Sequence, residues 1–363
     1  MEETAFAVES DHRSEEAEND GSPDELTPDI KRAARQLAAH CSAFKAPDPG
    51  RSLVQFLTTA VPFFALCAIM LLSYEHAYWL TLLATLPAAG LLIRLFIIQH
   101  DCGHGSYFKS RFINDMIGRA ISVVTLTPYE CWRQIHARHH ATSGDLNHRG
   151  AGDIDTLTVK EYLALPRLKR LVYRAYRNPF FILLLGPPLH FLVRQRVPLL
   201  LPVSNQTSRN SIMLTNLAIM VVYAALFGVI GMSTFLSVFL PVVLIATWIG
   251  GWLFFVQHQF EDTTWDEREG WDFHVAAALG SSYYDLHPVL NWFTGHIGLH
   301  HIHHLCAKIP NYRLQECFDT APALDGVNRL TFLESLKCVN LALWDEDERK
   351  LVGFGYLRGL ATT

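Results

Sequence analysis

The sequence predicts an all-α integral membrane protein, with about four transmembrane helices in two hairpins and a cytoplasmic helical cap. Three observations predict it. Half of the 363 residues are apolar, and they gather in charge-poor stretches near 52–74, 77–98, 211–231 and 235–256, each close to the about 20 apolar residues that a helical span needs. The thirty Lys and Arg avoid the two short connections near 75 and 232, while fifteen of them lie between 109 and 209. Three histidine clusters lie outside these stretches, the first of them directly after the second stretch. By the positive-inside rule, the Lys and Arg distribution puts both termini, the central segment and the segment after 260 on the cytoplasmic side. All three clusters then share one face of the bilayer.

Residues 1–29 hold eleven Asp or Glu against the single Arg13. This composition is that of a disordered acidic tail, and it lacks the basic start and apolar core of a signal peptide. The net charge of −5 comes largely from the tail and points to no nucleic-acid partner. Residues 30–50 are expected to form a cytoplasmic surface helix ending at Pro47 and Pro49, before a membrane domain at 51–345 and a C-terminal tail at 346–363. Pro62 in the first span is tolerable where neighbouring groups satisfy the freed carbonyl. Glu75 and His76 make the first turn, and Arg94 interrupts the second span near its far end, where its stem can reach the interface. The stretch 109–209 is too charged to cross. Within it, 178–193 is charge-free but only sixteen residues long and contains Pro187 and Pro188; an interfacial or re-entrant segment and a short buried cap helix suit it equally. Residues 210–260 are fifty-one in a row without charge, enough for two spans turning at Gly231–Thr234. The seven cysteines form no C-x-x-C pair, so neither a zinc ribbon nor a dithiol motif is expected.

The clusters are His100–His104, His136–His140 and the run His300-His301-Ile302-His303-His304. On a helix, positions i, i+3 and i+4 share a face. His100 and His104 therefore converge, as do His136, His139 and His140, and His300, His303 and His304. His301 points about 100 degrees away and is not expected to be a ligand. Eight donors are more than one metal takes, so two metals are expected, and imidazole without thiolate leaves iron or zinc. The soluble di-iron scaffold needs two Glu-x-x-His pairs. Only Glu9–His12 fits, in the tail, so that scaffold is not used here. His12, His40, His76, His148, His190, His274 and His287 are expected to be structural or surface residues. Asp101, Asp145, Asp153, Asp155, Asp262 and Asp285 are candidates to accept the second N–H of a ligand imidazole.

The three boxes, with their order and hydropathy, resemble the membrane-bound fatty acid desaturases over about residues 50–345. Pro128-Tyr129-Glu130-Cys131-Trp132, Gln257-His258-Gln259-Phe260-Glu261 and Pro310-Asn311-Tyr312-Arg313-Leu314 are similar to the acyl-lipid ω6 (Δ12) branch, particularly its bacterial members. The resemblance implies a di-iron centre bound by the box histidines, with O2 as oxidant, and a further ligand after the last span, matched by His258. Gln257, Gln259 and Glu261 beside it are placed to orient the ring. His296 stands where relatives often have Asn, and its role stays open.

The resemblance implies introduction of a cis double bond into an acyl chain, oleoyl to linoleoyl on a glycerolipid. An unactivated methylene offers no acidic proton, so removal of its hydrogens calls for O2 chemistry at a redox metal. The sequence has no His-Pro-Gly-Gly haem motif, flavin fingerprint or cysteine cluster, so electrons are expected from a separate ferredoxin or b5-type cytochrome. Arg167, Lys169, Arg170, Arg174 and Arg177 are candidates to dock an acidic carrier or to bind anionic lipid headgroups. A hydroxylase, an acetylenase or a carotenoid-modifying oxygenase could use the same boxes. A zinc transporter would place its ligands within the spans, whereas these clusters lie outside them.

Overall fold

The computed structural model describes residues 28–150, 152–203 and 205–360, so most of the acidic segment 1–29 lies outside the described residues. In chain order the helices are α1 (Pro28–Cys41), α2 (Pro49–Ser73), α3 (Tyr78–His104), α4 (Arg111–Thr125), α5 (Tyr129–Thr142), α6 (Val159–Ala164), α7 (Arg167–Tyr176), α8 (Gly186–Leu192), α9 (Gln206–Ile230), α10 (Met232–His258), α11 (Phe273–Leu279), α12 (Pro288–Phe293), α13 (His300–Leu305) and α14 (Asn311–Asp319), followed by short turns. The strands are β1 (Leu157–Thr158), β2 (Tyr283–Asp285), β3 (Arg329–Thr331), β4 (Leu341–Asp345) and β5 (Lys350–Gly353). β1 pairs parallel with β4, β4 antiparallel with β5, and β2 parallel with β3.

Four helices, α2, α3, α9 and α10, are long and apolar enough to cross a membrane. α2 starts where it does because Asp48 accepts the N–H groups of Gly50 and Arg51 while Pro49 occupies the first turn, where a missing N–H costs nothing. α3 packs against α2, α4 and α10 and is the central span. Ala84, Ala88 and Ala89 keep its surface small and buried, and Gly90 lies so close to the Phe293 ring that a Cβ would meet it at 2.6 Å. α9, by contrast, exposes Leu214, Met220, Val221 and Val229, the pattern of a lipid-facing helix. Gly231, at φ 80°, turns α9 into α10.

Two of the helices extend past the apolar stretches. α3 continues beyond residue 98 to His104, where Gly105 closes it in the left-handed region at φ 66°, and α10 continues to His258. The first box and His258 are therefore carried on rigid ends of spans. Residues 178–193 form a π-helical turn, Phe180–Leu185, running into α8. Phe180, Leu185, Leu189 and Val193 are exposed, while Trp248 Nε1 donates to the Leu184 carbonyl at 2.8 Å and Pro187 presses on Gly251 of α10. A segment with one apolar face exposed and the other against a span suits the interface and not a buried cap helix.

The cap departs from expectation at its C-terminal end. α1 lies on the surface with Arg32, Arg35 and Gln36 exposed and docks by one face: Ala34, Leu37 and Cys41 are buried in a cluster with Val275 and Ala278 of α11 and Ile302 of α13. Residues 346–363 are not simply a tail. β5 returns against β4, burying Leu351 and Val352, because these neighbours point to opposite faces of the strand, Leu351 clustering with Trp265 and Trp344 and Val352 with Tyr162 and Leu343.

The third box is held by a close backbone approach. Gly298 accepts Tyr284 N–H at 2.7 Å, and a Cβ on Gly298 would stand 2.4 Å from the Tyr284 carbonyl oxygen. Backbone cannot yield as a flexible side chain does. Gly298→Ala is therefore expected to destabilise the cap by about 1–3 kcal/mol, read as a lowered Tm of the detergent-purified protein. Gly228→Ala, which meets nothing within 4 Å on α9, is expected to leave Tm unchanged or raise it.

Candidate metal centre

Nine imidazoles converge at the shared end of the spans, and they sort into two groups. His100, His104, His136, His140 and His303 form one; His139, His258, His300 and His304 form the other; within each, one ligand atom per residue lies within 4.8 Å of the rest. Helical spacing explains the sorting. His136 and His140, one turn apart on α5, face the first group, and His139 between them faces the second. On α13 the arrangement is reversed, with His300 and His304 in the second group and His303 in the first. Each H-x2-H-H box thus straddles both groups instead of converging on one point, as the shared-face expectation had it.

The donor atoms are close. In the first group, Nε2 of His140 lies 3.0 Å from that of His136 and 3.1 Å from that of His303. In the second, Nε2 of His258 lies 3.1 Å from that of His139 and 3.0 Å from that of His300. Burial first, and the neighbouring imidazoles second, hold His136, His140, His300, His303 and His304 well below the usual imidazole range, so these rings are neutral, the form that binds metal.

The second nitrogens decide what those short separations mean. His139 gives its Nδ1–H to Asp153, and His258 gives its Nδ1–H to the Gly280 carbonyl at 3.3 Å. With Nδ1–H given to an acceptor, Nε2 of each ring is the nitrogen that faces inward, available to a metal. Neighbouring donors around an ion held at 2.0–2.1 Å would stand about 3 Å apart, which is the spacing found. Nε2 of His104 and both nitrogens of His304 are also buried without a partner among the described residues. The donor set therefore fits two metal ions.

His100 is oriented similarly. Its Nδ1 lies 2.9 Å from Asp101 Oδ1, and Asp101 Oδ2 accepts from the Asn311 backbone N–H at 2.6 Å and side chain at 2.8 Å. Asn311 in turn accepts from Gln55 Nε2 at 2.8 Å. Of the six acidic candidates, only Asp101 and Asp153 meet a histidine of the two groups. Asp145 binds His148, Asp285 pairs with Arg329, Asp155 lines a neighbouring cavity, and Asp262 meets none of these imidazoles. Gln259 does not orient His258; it accepts from Arg177 at 2.6 Å. Gln257 donates to the Ile297 carbonyl at 2.9 Å, fixing α10 to the segment before α13.

His301 is buried against Tyr283 and Phe318, outside both groups, and burial pushes it down to about 4. His296 also lies outside them, at φ 57°. Among the basic candidates for a carrier surface, Arg177 is corrected: it is buried and bonds Gln259 and the Leu341 carbonyl. Arg174 lies over Phe354 and bonds Tyr162. Both tie the cap together. Two features had no signal in the sequence. Trp132 stacks on His136 at 4.5 Å, and a cavity of about 690 Å³, walled by Leu92, Phe96, Ile135, Ala246 and Phe254, ends at His100, His136 and His300.

Removing the charge that orients His139, in Asp153→Asn, is expected to weaken metal binding 10–100-fold, measured by chelator competition with metal analysis of the purified chain. His301→Ala is expected to keep the full metal complement, while His300→Ala, His303→Ala and His304→Ala each lose metal. Equal loss at all four positions would overturn the grouping.

Comparison with known proteins agrees with this geometry. The fatty acid desaturase family model matches residues 38–333. A fatty acid desaturase of Bacillus subtilis is 44% identical over 325 residues, covering 90% of this chain and 92% of that one. The sn-1 oleoyl-lipid 12-desaturase of Synechocystis is 27% identical, over 61% of this chain and 62% of its own. The sn-1 acyl-lipid omega-3 desaturase (ferredoxin) of Nostoc is 25% identical, over 64% of each. Four helices able to span a membrane, two groups of converging imidazoles and a family match across most of its length identify this chain as a member of the fatty acid desaturase family, an oxidoreductase.

Proposed function

We propose that the chain is an O2-dependent di-iron desaturase that introduces a cis double bond into the acyl chain of a membrane glycerolipid, at the Δ12 (ω6) position. The observation that carries this reading is the apolar cavity ending at His100, His136 and His300. Its wall follows α10 from Phe254 back to Val243, about 17 Å along the helix axis. That length, with the apolar wall, suits an alkyl chain, and the volume is within the usual size of ligand pockets.

Iron bound by the nine histidines would supply the O2 chemistry that removes two hydrogens from adjacent unactivated methylenes. In balance, one O2, two electrons and two protons, with the two hydrogens of the substrate, give two waters and one alkene. The protein residues do the rest. Asp101 and Asp153 hold His100 and His139 in one tautomer, with Nε2 facing inward. Trp132 and Phe96 wall the approach and exclude water, so that a methylene pair is held beside the histidines.

The Δ12 position is supported by the motif phrases around Glu130, His258 and Asn311 and by the oleoyl-lipid 12-desaturase relative. The electron donor is a ferredoxin or a b5-type cytochrome, the former supported by the ferredoxin named for the Nostoc relative. The termini and the centre face the cytoplasm, supported by the Lys and Arg distribution. The domain at 51–345 carries the activity.

Fatty acid profiling of a host expressing the chain, with metal analysis of the purified protein, is expected to show a new Δ12 double bond and two irons per chain. A hydroxylated product, or zinc with unchanged lipids, would sink the proposal. Ala246→Trp, which fills the cavity about 18 Å from His258 along α10, is expected to cut the new product at least tenfold and leave the iron content intact.

A further inference from the structure

The cavity is apolar along most of its wall, but it meets a polar corner where α8 gives way to residues 194–202. His190, Arg194 and Gln195 line it there, with Leu200, Leu201 and Pro202. The route from this corner to the metal centre is short and marked by rings. His190 adjoins Phe191, Phe191 lies 6.3 Å from Phe96, Phe96 lies 5.6 Å from Trp132, and Trp132 lies 4.5 Å from His136. The corner is also anchored. Arg196 donates to the Leu126 carbonyl and to Asn216 Oδ1 at 3.0 Å, and Asn216 returns a bond to the Arg196 carbonyl at 2.8 Å. Leu189, Val193, Leu199 and Leu200 around it are exposed and apolar, so it opens toward the lipid side.

Gln195 stands out here. It is 4% exposed, yet its Oε1 has no hydrogen-bond partner among the described residues. A carboxamide has two donors and an acceptor, and buried polar groups are almost always paired. Its Nε2 also makes no hydrogen bond among the described residues, so the amine side of the carboxamide is free to donate to a group lying in the cavity that Gln195 lines. Arg194, beside it, is exposed and makes one side-chain bond, to the Leu200 carbonyl at 2.9 Å, with no carboxylate partner among the described residues.

We propose that Gln195 is a positioning residue that donates a hydrogen bond from its carboxamide to the ester carbonyl of a glycerolipid acyl chain, fixing how far along that chain the histidines reach. This rests on the desaturase reading above. The ester carbonyl is an acceptor at the root of a long alkyl chain, so it is the one polar group that a substrate lying in this cavity brings to a polar corner. Arg194 then faces the charged headgroup side. The substrate enters from the membrane, already esterified, and the double-bond position is counted from the ester.

The test is the double-bond position in lipids of a host expressing each variant, with iron content measured on the purified protein. Gln195→Leu is expected to keep wild-type iron, lower the desaturated fraction about tenfold and spread the new double bond over neighbouring carbon pairs. Gln195→Asn, which keeps the carboxamide, is expected to retain a single position and most of the yield. Should Gln195→Leu fail to accumulate, Gln195→Met is read in its place. An unchanged position in the leucine or methionine variant, whether yield is kept or lost, overturns the proposal, since a structural role would alter amount and not register. A wild-type chain that forms no double bond at all would overturn the desaturase reading and this inference with it.

Discussion

The structure depends on the convergence of nine imidazoles in two compact groups. They come from four segments far apart in sequence, and Nε2 atoms from different segments, those of His139 and His258 among them, stand 3.1 Å apart. Burial holds His300 and His304 on the cap well below the usual imidazole range. Every element that brings a box to this point serves that convergence. α3 and α10 carry their donors on the rigid ends of spans, and α5 and α13 carry theirs on helices of the cap.

Rigidity is supplied differently on the two sides. On the membrane side, helical continuity is enough: α3 needs no loop between the bilayer and His104, and Gly105 stops it at once. On the cap side, short helices have little stability of their own, so α13 is held by its surroundings. Ile302 is fully buried against α1 and α11, Gly298 touches the Tyr284 backbone, and Gln257 bonds the Ile297 carbonyl. α1, outside the spans, thus has a direct part in holding the third box.

Much of this was legible in the sequence, and the limit was set by range. Spans declare themselves through composition alone, because the bilayer leaves few other ways to place twenty apolar residues. The box histidines declare themselves by density and spacing. What depended on contacts between distant segments was not legible. The division of His136, His139 and His140 between two groups follows from which neighbour each meets, and i, i+3, i+4 spacing permits either division or convergence. Asp153 was one of six acidic candidates and differed from the others only in where residues 144–153 fold back. Arg177 looked like surface charge until Gln259 and the Leu341 carbonyl enclosed it. Residues 350–353 looked like a tail because four residues are too few to announce a strand without the partner at 341–345.

The same division between spans and cap bears on assembly. The apolar spans satisfy most of their backbone groups within each helix. The cap is different. Its helices at the centre are six and fourteen residues long, with little stability of their own, and a metal bound by the two groups would link α5 and α13 to the ends of α3 and α10, so that its binding free energy would help to order the cap. His100, His136 and His300, which would hold it, also line the cavity, so the order of the cap and the shape of the cavity depend on the same side chains.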